Sequence, residues 1–137
     1  MRFTQKSNIP IAIANVNQDI ADAIKEIGEG IVTDIRTEMD RDKTGVHYPN
    51  LPHRSSAPGE SPRTQSGGVA ASYQFTPISK TSGMVGSDSP LAKRLENGDV
   101  TLAPRPVFHK TVESWRKLAL EKYSITIRIG VESARIN

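Results

Sequence analysis

The 137-residue chain contains no cysteine. That excludes a disulfide framework and any thiolate zinc site, and it fits assembly in a reducing compartment. Aromatic residues make up only 5% of the chain, too few for a surface on which successive bases stack. No run of Lys or Arg occurs, so the net charge of +3 does not by itself argue for nucleic acid. No apolar stretch approaches the roughly 20 residues of a membrane span. The start, Met1–Ser7, lacks the apolar segment of a secretory signal. A soluble protein with no membrane partner is expected.

What is present fits one domain over residues 1–137. At 36% hydrophobic content its core is lean, which suggests stability drawn from neighbouring subunits. Charge is uneven. Residues 1–44 carry 6 Lys/Arg against 8 Asp/Glu, and residues 105–137 carry 7 against 3. An acidic start and a basic end can pair head to tail between copies, although two solvated helix faces would look the same.

Hydrophobic spacing outlines the elements. Ile9, Ile11 and Ile13 suggest a short edge strand, with Pro10 barring it from a sheet centre. Ile20, Ile24, Ile27, Ile31, Ile35 and Met39 recur at helical spacing, so a long amphipathic helix is expected from a cap at Asn15 or Asn17 to about Arg41. Gly28 and Gly30 interrupt that stripe at up to about 1 kcal/mol each, and suggest close approach of another element. A turn or short helix at Ser66–Ala71 should lead into a strand through Tyr73–Ile78, a hairpin turn at Lys80–Gly83 and a returning strand at Met84–Gly86. Ser87 or Ser89 should cap a short helix with Pro90 at its first position, Leu91, Ala92 and Leu95 inward and Gly98 at its end. Phe108, Val112, Trp115, Ala119 and Tyr123 mark a last amphipathic helix, and alternating Ile125, Ile127, Ile129 and Val131 a final strand.

Between Asp42 and Gly68 lie four prolines and four glycines. This stretch can be neither helix nor central strand. Loops beyond about 12–15 residues are uncommon in compact domains and are usually functional or disordered. Its prolines lower the entropy lost on docking. The expectation is an extended arm over about 42–68 that becomes ordered against a partner.

No constellation supports catalysis. His47 and His53 lie in the arm with only Glu60 near them, and neither HExxH nor CxxC occurs. Asp19, Asp22, Glu26 and Glu29 share a helix face, where carboxylates are ordinarily a solvated surface. No GxSxG, GxGxxG or GxxxxGK[ST] pattern is present. The chain reads as a non-enzyme without cofactor or metal. Arg54 and Arg63 could present bidentate forks to phosphates or acidic partners, or serve only loop solubility.

Five segments, in order, resemble one family. They are the long N-terminal helix; Ser56-Ala57-Pro58-Gly59-Glu60-Ser61-Pro62 followed by Thr64-Gln65-Ser66-Gly67-Gly68-Val69; Val85-Gly86-Ser87; Leu91-Ala92 through Leu95-Glu96-Asn97-Gly98; and Ala103-Pro104-Arg105-Pro106-Val107-Phe108. The second is similar to a "SAPGExP…TGxL" signature, the fourth to "YAxxLExGT" and the fifth to "ARPF". Together they resemble the head–tail joining proteins of tailed bacteriophages, also called tail-completion, neck or minor tail-component proteins. The likeness covers about residues 15–123. Asp99 stands where that family often has threonine, Leu91 where an aromatic is common, and Val107 splits the Arg-Pro-Phe series.

The resemblance implies a structural virion protein at the neck, assembled in the host cytoplasm. It implies a homo-oligomeric ring, a hexamer, that joins a DNA-filled head to a tail. Connector and tail proteins are the implied partners, with non-specific contact to DNA in the channel. The expected fold is α+β: long N-terminal and C-terminal amphipathic helices on a small, mostly antiparallel sheet, with the long arm. The expected partner or subunit contacts are Arg54, Ser56, Pro58, Glu60, Arg63, Glu96 and Arg105. The rival is a basic nucleic-acid-binding module using Arg54, Arg63, Lys110, Arg116, Lys117 and Arg128. A small hydrolase built on the first-helix carboxylates would have no evident substrate.

Overall fold

The structure, a computed structural model, describes residues 2–5 and 14–128. The chain is α+β. In order it forms β1 (Arg2–Gln5), α1 (Ala14–Asp40), α2 (Gly68–Ser72), β2 (Tyr73–Ser79), β3 (Ser82–Ser87), α3 (Pro90–Asn97), α4 (Phe108–Tyr123) and β4 (Ile125–Arg128). The contacts group into two compact units that share the chain in alternation.

The first unit draws on the described residues up to Val32, on Gln74–Gly86 and on those from Val112 onward. Its sheet has the order β2-β3-β1-β4. The N-terminal strand is central: β1 pairs antiparallel with β3 (Phe3 opposite Gly83) and with β4 (Phe3 opposite Ile127). β2 and β3 are joined by Lys80-Thr81 alone, the two-residue connection of a hairpin. Sequence reading missed β1, because four residues without a β-branched run give no periodic signal. The strand expected around Ile9–Ile13, and the positions Ile129 and Val131, lie outside the described residues.

α1 runs from Ala14, so the cap positions expected at Asn15 or Asn17 lie within the helix. Its apolar stripe is buried as the spacing requires: Ile24, Ile27 and Ile31 are sealed in this unit. The interrupting glycines have a steric reason. A Cβ on Gly28 would overlap the Phe75 ring of β2, and one on Gly30 would sit 2.5 Å from the Trp115 indole of α4. The helix accepts about 1 kcal/mol per glycine to let two aromatic rings lie against its backbone. Val85, Val112, Ala119, Ile125 and Ile127 complete the core of this unit.

The second unit comprises Thr33–Tyr73 and Ser87–Thr111. Ile35, Met39, Ala70, Tyr73, Ala92 and Val107 are its buried apolar side chains. Two cations from the end of α1 and just beyond it close helix ends. Arg36 donates from Nε to the Ala70 carbonyl (3.2 Å) and from Nη2 to that of Tyr73 (2.8 Å), at the carboxyl end of α2. Lys43, its side chain only 4% exposed, donates from Nζ to the Glu38 carbonyl (2.8 Å) in the last turn of α1. Cations at helix C-termini satisfy orphan carbonyls and complement the dipole. α3 is capped by Ser89, whose Oγ accepts from the Ala92 N–H, with Pro90 at its first position. It ends at Gly98 with φ of +71°, a conformation that side chains resist. One inward assignment is corrected. Ala92 is buried, but Leu91 is nearly half exposed, because the short helix turns one narrow face inward and Leu91 lies beside it.

Candidate functional site

The Pro- and Gly-rich stretch holds no helix or strand between Arg41 and Gly67. It is not a free arm. Backbone hydrogen bonds join Gly45 and Ser55 (2.8 Å) and Ser55 and Val46 (2.9 Å), and Thr64 N–H reaches the Met39 carbonyl (2.8 Å). Gln65 clamps the backbone of His53 from both sides, accepting its N–H and donating to its carbonyl, each at 3.1 Å. The stretch expected to become ordered against a partner thus already makes contacts within its own chain. Part of its polar backbone finds acceptors and donors in its own chain.

Glu60 organises the middle of the loop. Its Oε1 accepts from the Ala57 N–H (3.1 Å) and from the hydroxyl and N–H of Thr44. The Thr44 hydroxyl is the main cause that holds the Glu60 carboxyl below the ordinary carboxylate range. Arg63 lies under the loop with only 6% of its side chain exposed and meets both the carbonyl and the carboxylate of Asp40.

Three chain segments converge here. Gly59 N–H donates to the Pro104 carbonyl (3.2 Å), and Ser61 Oγ to that of Pro106 (3.2 Å). Arg105 donates from Nε to the Ser56 carbonyl (3.3 Å) and from its backbone N–H to the Leu95 carbonyl (2.6 Å). Lys110 reaches the Gly59 carbonyl at 3.0 Å.

A further tie is a carboxylate on a helix end. Glu96 Oε1 accepts the N–H groups of Val107 (2.9 Å) and Phe108 (2.8 Å). Its Oε2 accepts the His109 N–H (3.2 Å) and lies 2.9 Å from His109 Nδ1. The side chain is 9% exposed. A carboxylate so withdrawn from water is tolerable because it faces three orphan donors at the positive end of α4. Tyr73 stacks on Phe108 with ring centroids 6.0 Å apart, and burial pushes its hydroxyl upward.

The loop, α3 and the following turn enclose an open cleft of about 450 Å³. Met39, Val46, Tyr48, Leu91, Leu95 and Leu102 give it an apolar lining. Arg63 and Arg105 are its charged members, and no carboxylate lines it. Val46, Tyr48 and Leu91 are each roughly half exposed, so apolar surface lies open to water in one place.

Nothing matches this chain among protein-family models, curated proteins or solved structures.

The anticipated contact residues divide by exposure. Pro58 is exposed and lines the cleft. Arg54 is exposed and donates to the Gly45 carbonyl at 2.8 Å. Ser56, Glu60 and Arg105 are half-buried and bonded within the unit. Arg63 and Glu96 turn their charged groups inward. The cations of the rival reading are mostly engaged too: Arg116 pairs with Glu113 at 2.7 Å, while Lys117 and Arg128 are exposed. His47 Nε2 lies 3.2 Å from the Leu51 carbonyl, and among the described residues no group of three His, Asp or Glu side chains could hold a metal ion. Arg36, Lys43 and Val100 were not singled out from sequence. A cation just past a helical stripe could have flagged Lys43. Nothing in the spacing marked Arg36, whose acceptors lie over 30 positions away.

Proposed function

We propose that this chain is a structural protein of the tailed-phage neck, a ring subunit that joins the DNA-filled head to the tail. The supporting observation is a convergence. The three segments that carry the most specific part of the resemblance, residues 56–62, 91–98 and 103–108, are hydrogen-bonded to one another through Gly59, Ser61, Leu95, Glu96 and Arg105. Residues of the resembling segments are then partners in one local architecture, which supports the reading. In this reading the two long helices and the antiparallel sheet are scaffold. The Pro-rich loop, with Arg54 and Pro58 outward, is the contact element towards connector and tail proteins. Glu60, Arg63, Glu96 and Arg105 hold that element in shape. Assembly into a ring of heterologous contacts would supplement a lean core by mass action. The channel of such a ring would pass DNA, which gives exposed Lys117 and Arg128 a place without base recognition.

The test is electron microscopy of lysates from a phage or induced prophage lacking this gene. DNA-filled heads lying beside separate, complete tails are expected. Tails of abnormal length would move the role to termination of tail growth. Intact, infectious particles would overturn the reading.

A further inference from the structure

Asn97-Gly98 is the one Asn-Gly pair in the chain. Asparagine followed by glycine is the pair most open to spontaneous cyclisation, because glycine has no Cβ to shield its own nitrogen. Here the pair sits where α3 ends. Asn97 is the last helical residue and is exposed, so water reaches it. Gly98 follows with φ of +71°. A Cβ on it would lie 2.7 Å from the Leu102 carbonyl oxygen and 2.9 Å from Pro104. The turn therefore requires glycine, and the fold keeps a reactive pair at an exposed helix end.

The geometry holds the glycine nitrogen back. Gly98 N–H donates to the Arg94 carbonyl at 2.7 Å and closes the last turn of α3. The next residues lock that closure. Asp99 N–H donates to the Leu102 carbonyl at 2.9 Å. The Asp99 carboxylate accepts from the Thr101 N–H (2.8 Å), from the Thr101 hydroxyl (2.9 Å) and from Arg94 Nε. Cyclisation needs the Gly98 nitrogen to shed its proton and swing onto the Asn97 side chain. A nitrogen whose proton is committed to Arg94 does neither until the helix end opens.

We propose that Asn97 is a spontaneous modification site gated by the Asp99–Thr101 turn, reacting only in molecules whose α3 end has opened. In the open state the Gly98 nitrogen gives its proton to solvent and bonds to Asn97 Cγ. The Cγ–Nδ2 bond breaks and the nitrogen leaves as ammonia, taking a proton from solvent. Water then opens the succinimide ring at either carbonyl, leaving aspartate or isoaspartate at this position. No electrons change hands. Both products put a carboxylate at the negative end of α3, which the dipole disfavours. Isoaspartate also inserts a methylene into the backbone beside Glu96, the residue that caps α4. Time spent with the turn open is thus recorded irreversibly at the joint between α3 and α4.

Peptide mapping by mass spectrometry tests this on the full chain, incubated at neutral pH with and without denaturing urea. Asn97 should deamidate in urea. In the folded chain it should do so at least on the order of ten-fold more slowly, which corresponds to about 1.4 kcal/mol of local opening. Asp99→Ala, at an exposed position, should keep the wild-type circular dichroism and raise the folded rate several-fold. Hydrogen exchange of the Gly98 amide in the wild type reads the same opening, and its protection should match the slowing. That measurement carries the test if Asp99→Ala does not fold. Equal rates with and without urea, or an unprotected Gly98 amide, would overturn the gating. A folded Asp99→Ala that deamidates at the wild-type rate would overturn the role of the turn. An Asn97 that stays intact in urea would overturn the site itself.

Discussion

Glu96 Oε1 accepts the backbone N–H of Phe108 at 2.8 Å, and so a residue of α3 caps a helix that starts 12 positions later. Helix α4 has no side-chain cap of its own at the preceding positions, Pro106 and Val107. The cap is imported. Glu96→Ala should therefore destabilise the fold by about 1–2 kcal/mol, the upper part of the usual N-cap range, because three donors lose their acceptor. Glu96→Gln keeps one acceptor oxygen and should cost less. Urea denaturation of the two variants gives the difference, and equal loss would show that charge rather than hydrogen bonding dominates.

The glycines of α1 give a second expectation with an unusual sign. Gly→Ala inside a helix ordinarily stabilises. Here Gly28→Ala and Gly30→Ala should each destabilise by about 1–3 kcal/mol, because the added methyl meets the Phe75 or Trp115 ring. Thermal midpoints should fall for both, and a rise in either would mean that the ring moves aside freely.

Two arginines of the loop should behave differently. Arg54 is exposed, so Arg54→Glu should change stability by within about 0.5 kcal/mol. Arg63→Glu places a carboxylate in a nearly sealed position beside Asp40 and should cost about 3 kcal/mol or more. Arg54→Glu combined with Arg63→Glu would consequently be a folding variant and a poor probe of docking. Arg54→Glu alone, folded by circular dichroism, is the variant to carry into a joining assay, where fewer joined particles are expected.

Acid should loosen the turn that carries Val100. Hydrogen bonding from Arg94, then from Thr101, lowers the Asp99 carboxyl from 3.8 to about 2. With the folded value depressed, the contribution is complete above pH 4 and is lost as pH falls towards 2. Carbon-detected NMR titration should place the Asp99 midpoint near 2. A midpoint near 3.8 would mean that the turn is not closed in solution.

Much of this architecture could be read in the residues. The isoleucine stripe of α1, the Ser89–Pro90 start and Gly98 end of α3, and the alternation at Ile125 and Ile127 are local signals, and local signals suffice for local structure. What escaped was long-range. β1 owes its strand to partners more than 75 positions away. The fate of the Pro-rich stretch was also hidden: its composition excludes helix and strand, but whether its backbone pairs with solvent, a partner or itself depends on Met39, Pro104 and Arg105. The cleft follows from that folding back, so it had no signature in sequence.

The alternation of the chain between its two units sets an order on synthesis. Thr111 ends the last segment of the second unit, so every residue of that unit is made before the first unit receives the bulk of α4 and all of β4. A nascent chain can therefore finish the cleft and its turn while the sheet still lacks an edge.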